Sequence, residues 1–231
     1  MKRIVPLILA AALAACSKQE PATDTAPAAP PSPAAPAPED RPAPLTAAQQ
    51  AVLVRPHAPI LGDPKAPVTV VEFLDPACGA CRNAEPLVKQ MLFMYPQGVR
   101  VVVRFAAFHQ GSDEAIRILY AAQRQRKFDR VLTALFDGQE QWASHNGPNT
   151  DNAWKLAGAA GLDLAAARRD ANSQAATELL RVDGEDGVVL KVDSTPTFYV
   201  NGELIEGMTA EQFFKLIEDE VKAAGSSGTS Q

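Results

Sequence analysis

Cysteine is nearly missing from this chain: 231 residues hold three, at positions 16, 78 and 81. Histidine is as scarce, with three residues at 57, 109 and 145. Structural zinc needs four ligands, and apart from Cys78 and Cys81 none of these residues shows paired ligand spacing. Half a zinc site therefore loses to a redox reading of that pair. A purely structural disulfide loses too, because two intervening residues close too small a loop to restrict an unfolded chain. No long apolar run follows the N-terminus, so no second membrane segment is expected. Basic residues are outnumbered, 22 against 27 acidic, for a formal net charge of −5 and a pI near 5.3. Such a chain lacks the basic face that nucleic acid requires. Loss of residues 1–15 would remove Lys2 and Arg3, leaving 20 basic against 27 acidic residues, a net −7.

The chain is organised around residues 68–83, VTVVEFLDPACGACRN. An apolar, β-branched run stops at Asp75-Pro76. Cys78 and Cys81 follow, and then a segment of helical character. A CxxC at a strand-to-helix junction is a redox signal. A sulfur at the helix start sits beside unpaired backbone N–H groups and the positive end of the helix dipole, which favours a thiolate. Cys81, one turn later, lies on the same helix face and can close a disulfide with Cys78. Cys78 is therefore expected to be the nucleophile and Cys81 the resolving thiol.

Residues 1–15 read as a secretory signal: Lys2 and Arg3, then an apolar stretch from Ile4 to Ala15. The end of this segment, LAAC at 13–16, resembles a bacterial lipobox, which is cut before the cysteine and lipidated at Cys16. Ordinary signal cleavage near Ala15, with Cys16 a free thiol, is the alternative. By the same resemblance, Ser17 after the cysteine implies the outer rather than the inner membrane. Residues 21–44 hold nine prolines and eight alanines in 24 positions, so residues 16–58 are expected to form an extended tether. Within it, Leu45–Val54 has the makings of a short helix capped by Thr46. His57, flanked by prolines, is expected in a loop and in solvent.

A folded domain is expected over 59–225, with a short flexible tail at 226–231. Residues 62–64 read as a turn. Val68–Leu74 and Val99–Phe105 are buried strands joined by a helix over Cys81–Tyr95, which makes them a parallel βαβ pair. Pro86 should kink that helix. Next come helices over Asp113–Gln123, around Phe128–Phe136, over Asp151–Ala160 and over Asp163–Leu180, with Gly184 and Gly187 weakening any continuation. Trp142 and Trp154 are expected to pack among them, and neither His109 nor His145 is given a catalytic role. Residues 197–205 carry a hairpin signal around Asn201-Gly202. Thr209 to Gln212 is a capping box opening a last helix that ends at Gly225.

These stretches together resemble the DsbA-like thiol:disulfide oxidoreductases of bacterial envelopes. The matching segments are GDPKAPV (62–68), VEF (71–73), CGAC (78–81), QRKF (125–128) with ALF (134–136), and STPTFYVNG (194–202). The resemblance spans about residues 60–223. It implies an α/β thioredoxin-like fold, a central mixed sheet with flanking helices, carrying a helical insertion at about 109–192.

The resemblance also implies roles. Cys78 and Cys81 would form the redox-active disulfide. Pro196 would be the cis-proline facing it, leaving the Thr195 backbone free to pair with an extended substrate segment; a plain strand-initiating proline is the alternative. Glu72 would be a buried acid that accepts the Cys81 proton through water; a strand-end charge reaching solvent is the alternative. Two departures count. Gly79-Ala80 lacks the histidine or tyrosine of strong oxidants, which argues for a less oxidising couple. Asp75 before the pair would oppose a thiolate at Cys78 if close. The expected activity is dithiol oxidation of cysteine-containing envelope proteins by a lipid-anchored enzyme. It needs no cofactor, no metal and no nucleic acid, and works with a membrane redox partner. A reductase fed by a membrane electron carrier stays open, as does a non-catalytic binding module or metal chaperone.

Overall fold

The computed structural model describes residues 44–144 and 147–227. Cys16 and the signal and tether residues up to 43, His145, and the tail from 228 lie outside these. Along the chain come α1 (Ala47–Leu53), β1 (Ile60–Gly62), β2 (Val68–Leu74), α2 (Gly79–Met94) and β3 (Val99–Phe105). Six helices follow: α3 (Ser112–Arg124), α4 (Phe128–Asp137), α5 (Gln139–Trp142), α6 (Thr150–Ala159), α7 (Leu164–Ala171) and α8 (Gln174–Leu190). The chain closes with β4 (Thr197–Val200), β5 (Glu203–Ile205) and α9 (Ala210–Ser227). No helix among the described residues is long and apolar enough to cross a membrane.

The strands form one mixed sheet in the order β1-β3-β2-β4-β5. β2 and β3 are parallel, and the other pairings are antiparallel. This is the thioredoxin-like arrangement expected from the βαβ unit and the hairpin, with α3 to α8 inserted between β3 and β4. β2 is central, so both its faces are covered and its apolar run does not alternate. Val70, Glu72 and Leu74 point to one face; Val71 and Phe73 point to the other. The first face meets α2 and the inserted helices, where Val70 and Leu74 join Cys81, Val88 and Met91 in the main core. The second face holds a smaller cluster of Val71, Phe73, Val102, Tyr199, Leu190 and Leu53.

One strand is added and three local expectations change. Residues 60–62 form a strand at the sheet edge, antiparallel to β3, and the turn read at 62–64 follows it, the Ala66 N–H donating to the Asp63 carbonyl at 2.9 Å. Gly62 has φ +83°, and a Cβ there would meet Leu92 and the Val99 carbonyl at under 3 Å. The helix expected over 163–180 is two: Ser173 breaks it, its Oγ accepting from the Ala176 N–H as N-cap of α8. α8 then runs through Gly184 and Gly187 to Leu190. Each glycine costs a helix about 1 kcal/mol, but Asp183, Asp186 and Gly187 are all buried against the sheet. α9 likewise passes Gly225.

Residues 44–58 are not a free tether. Leu53 is buried, with Leu45 and Val52 beside it. The Thr46 capping box with Gln49 forms as read from the sequence. His57, expected in solvent, places Nε2 2.8 Å from Asp183 Oδ1. The two tryptophans pack within the inserted helices, donating to the Leu135 carbonyl and to Glu114.

Candidate active site

β2 ends at Leu74, and the next four residues carry the chain to the start of α2. Cys78 is the N-cap of α2, with extended backbone at φ −76° and ψ 122°. Its side chain makes no capping bond to the helix. Instead its Sγ donates to the Thr195 carbonyl at 3.3 Å. The Thr195–Pro196 peptide bond is cis. So the loop before β4 meets the start of α2 at the cysteine, 117 residues away in sequence.

The two thiols differ in environment. Cys78 is 7% exposed and Cys81 0%. Burial pushes the Cys81 thiol far up, and the Asp75 N–H, 3.4 Å from its sulfur, pulls only partly the other way. A charge on Cys78 raises Cys81 further, and so does one on Glu72, which lies on the same sheet face, once that carboxyl is ionised. Glu72 is itself buried, 4% exposed, and burial followed by repulsion from Glu85 pushes its carboxyl up to about 8. Glu85, on α2, is held by Lys89 at 2.8 Å and by Thr133 at 2.9 Å. The Glu72 carboxyl, on the Cys81 side of the sheet, therefore still holds its proton near neutrality.

Asp75 organises the approach to α2. Its carboxylate is fully buried. Oδ1 accepts from the Ala77 N–H at 2.8 Å and from the Ser112 hydroxyl. Oδ2 accepts from the Phe108 and His109 N–H groups at 2.8 and 3.0 Å, and lies 2.8 Å from His109 Nδ1. From α5, Gln139 Nε2 donates to the carbonyls of Pro76 and Cys78 at 2.9 and 3.0 Å. The CxxC loop is thus pinned by the β3–α3 connection and by α5.

Beside the loop opens a cavity of about 800 Å³ lined by Ala77, Gly79, Arg82, Phe108, His109 and Gln139, among others. A second, of about 230 Å³, lies along Ser194, Pro196 and Thr197. Among the described residues no group of three or more His, Cys, Asp or Glu side chains is placed to hold a metal ion.

Cys78, Cys81 and Thr195 meet, Pro196 borders them, and Glu72 lies on the Cys81 side of the sheet. Asp75, read from the sequence only as a charge near Cys78, proves to be the loop's buried anchor. His109 and Gln139 were given no part in the site. They come from a loop and a helix well beyond α2 in the chain, and no local pattern marks them.

The site and fold have counterparts. The family model described as Thioredoxin matches residues 55–219. A thioredoxin-like oxidoreductase from Silicibacter pomeroyi DSS-3 is 30% identical, covering 73% of this chain and 94% of that one, with a TM-score of 0.63. Wolbachia pipientis alpha-DsbA1 shares the fold at 17% identity and a TM-score of 0.69, over 78% of this chain and 98% of that one. Oxidised BdbD from Bacillus subtilis does so at 22% and 0.64, over 72% and 94%. A Na(+)/H(+) antiporter NhaA 1 from Mycobacterium sp. (strain KMS) is 32% identical over 166 residues, 67% of this chain. The match spans 26% of that relative's length.

Proposed function

The chain belongs to the thioredoxin family, and we propose that it is an envelope thiol:disulfide oxidoreductase that oxidises dithiols in cysteine-containing proteins. The observation that carries this is the unequal pair: Cys78 caps α2 between Ala77 and Gly79, which line a cavity, and Cys81 is wholly buried one turn on, its thiol pushed up by burial.

The chemistry follows from that inequality. A client thiolate attacks the Cys78 sulfur of the Cys78–Cys81 disulfide, because Cys81 is out of reach. A client–Cys78 bond forms, the Cys78–Cys81 bond breaks, and the electron pair goes to Cys81. Cys81 strongly disfavours the thiolate and takes up a proton, for which Glu72, protonated up to about pH 8, is the neighbouring source. A second client thiolate then attacks the client sulfur of the mixed disulfide, and Cys78 leaves at the positive end of the α2 dipole. Two electrons have passed from the client dithiol to the protein. The cis Thr195–Pro196 loop beside Cys78 supports docking of an extended client segment, and a membrane redox partner would restore the disulfide.

The oxidised protein, mixed with a reduced dithiol peptide, should yield one peptide disulfide per chain. No exchange in either direction would leave only a binding module or metal chaperone. The reduction potential decides direction: a value above about −200 mV favours the oxidase, and one below about −260 mV favours a reductase fed by a membrane carrier.

Attachment through a lipid on Cys16, facing the periplasm from the outer membrane, is part of the same proposal. It rests on the LAAC sequence at 13–16, followed by the proline-rich stretch. Cys16→Ser should move the protein from the membrane to the soluble envelope fraction. Wild-type protein already found there would remove the anchor from the proposal.

A further inference from the structure

We propose that His109 is a general base that takes the proton of the incoming client thiol, held for that task by Asp75. The inference rests on the thiol-exchange reading above and adds a residue to it.

Five donors converge on the two oxygens of Asp75: three backbone N–H groups, the Ser112 hydroxyl and the His109 ring nitrogen Nδ1. With every other neighbour donating, the carboxylate can only accept from the imidazole, so Nδ1 carries the hydrogen. In the neutral ring that fixes the tautomer and leaves Nε2 its lone pair. A buried carboxylate that orients an imidazole in this way is the arrangement acid–base catalysis uses. Asp75 is wholly buried, whereas the His109 side chain is 49% exposed. The same ring lines the cavity of about 800 Å³ whose wall includes Ala77 and Gly79, the residues on either side of Cys78.

The reaction needs a proton acceptor on the cavity side of Cys78. An ordinary cysteine thiol titrates near 8.5, so only a few per cent of a client is thiolate at neutral pH. Glu72 lies on the Cys81 side of the sheet and faces α2, so it serves the resolving thiol and not the client. Arg82 at the cavity rim is paired with Glu140 at 3.3 Å and has no lone pair to accept a proton. His109 Nε2 is an acceptor on the open side.

In the step so assigned, the client S–H proton passes to His109 Nε2. The client sulfur bonds to Cys78, the Cys78–Cys81 bond breaks, and its electron pair goes to Cys81. The oxidant is the protein's own disulfide. The imidazolium left behind is paired with Asp75 and loses its proton to solvent.

The test uses the full chain with its Cys78–Cys81 disulfide formed. It is mixed with an alkyl monothiol, or with an aryl monothiol that is already ionised at the assay pH. Loss of the disulfide is followed by acid quench, alkylation and mass measurement. His109→Asn keeps an amide that can donate to Asp75 but removes the base. It should slow the alkyl thiol by about tenfold or more and the aryl thiol far less, so the ratio of the two rates changes. Added imidazole should restore the alkyl rate in His109→Ala. Equal losses for both thiols, no loss, or no rescue would overturn the proposal. Wild-type protein inert to both thiols would instead remove the exchange reading itself, and this inference with it.

Discussion

Arg104 and Asp183 meet where no water reaches: Nε and Nη2 of the guanidinium donate to one carboxylate oxygen at 3.0 and 2.7 Å, and the side chains are 0% and 1% exposed. β3 supplies the arginine and α8 the aspartate, so the pair fastens α8 to the sheet face opposite Cys81. Nη2 also reaches Asp186 at 2.7 Å, Arg55 meets Asp186, and Tyr120 donates to Asp183 at 2.9 Å. Burial works to raise the Asp183 carboxyl, and His57 and Arg104 outweigh it, holding the group below the usual carboxylate range.

Removing one partner of such a pair leaves an uncompensated buried charge, which costs about 3–5 kcal/mol. Arg104→Met should therefore lower stability by that order in denaturant titration. Arg181→Ala, which breaks the solvent-exposed pairs with Glu178 and Glu185, should change it little. Similar effects from the two substitutions would mean that the buried network is not what holds α8.

The N-terminal strap should matter for the same reason. Residues 44–58 contribute Leu53 to the smaller core, carbonyls of Val52 and Leu53 to Arg104, and Arg55 and His57 to the two aspartates. A chain starting at residue 59 should lose at least about 3 kcal/mol against one starting at residue 44. Equal thermal midpoints would restore the tether to residue 58.

Glu72 gives the stability a pH slope of definite sign. Its folded value, about 8, lies above the roughly 4.3 of an unfolded glutamate. Between those values the folded chain holds a proton that the unfolded chain has lost, so stability is full below the lower value and declines as pH rises through the higher. At about 1.4 kcal/mol per unit, the decline across the window is a few kcal/mol. Glu72→Gln should flatten it. Asp183, held low, works in the opposite sense and at more acid pH, so the windows separate. A wild-type curve flat from pH 5 to 8 would contradict the burial of an ionising Glu72.

The unequal thiols predict unequal trapping. Cys81→Ala keeps the accessible sulfur and removes the one that resolves, so dithiothreitol-sensitive adducts with envelope proteins should accumulate on non-reducing gels. Cys78→Ala keeps only the sealed thiol and should trap few. The reverse pattern would exchange the two roles.

The sequence by itself determined whatever depends on local order. The period-two and period-3.6 patterns, the Asn201-Gly202 turn and the capping boxes mark most of the elements. The parallel pairing of β2 with β3 follows from the handed connection through α2. Cys78 and Cys81 were legible because the CxxC spacing at a strand-to-helix junction is a local pattern. Tertiary structure decided the rest, because it depends on pairs far apart in the chain. α8 survives two glycines since Arg104, 79 residues upstream of Asp183, gives its aspartates a buried partner. An arginine inside the apolar run of β3 is the one sign of this, and its partners lie on a stretch whose two glycines argue against a helix. His57 and His109 look alike in sequence, each beside loop residues. Only the fold gives the first a buried aspartate on α8 and the second the carboxylate that anchors the active-site loop. A contact between distant residues leaves no periodicity for a single sequence to display.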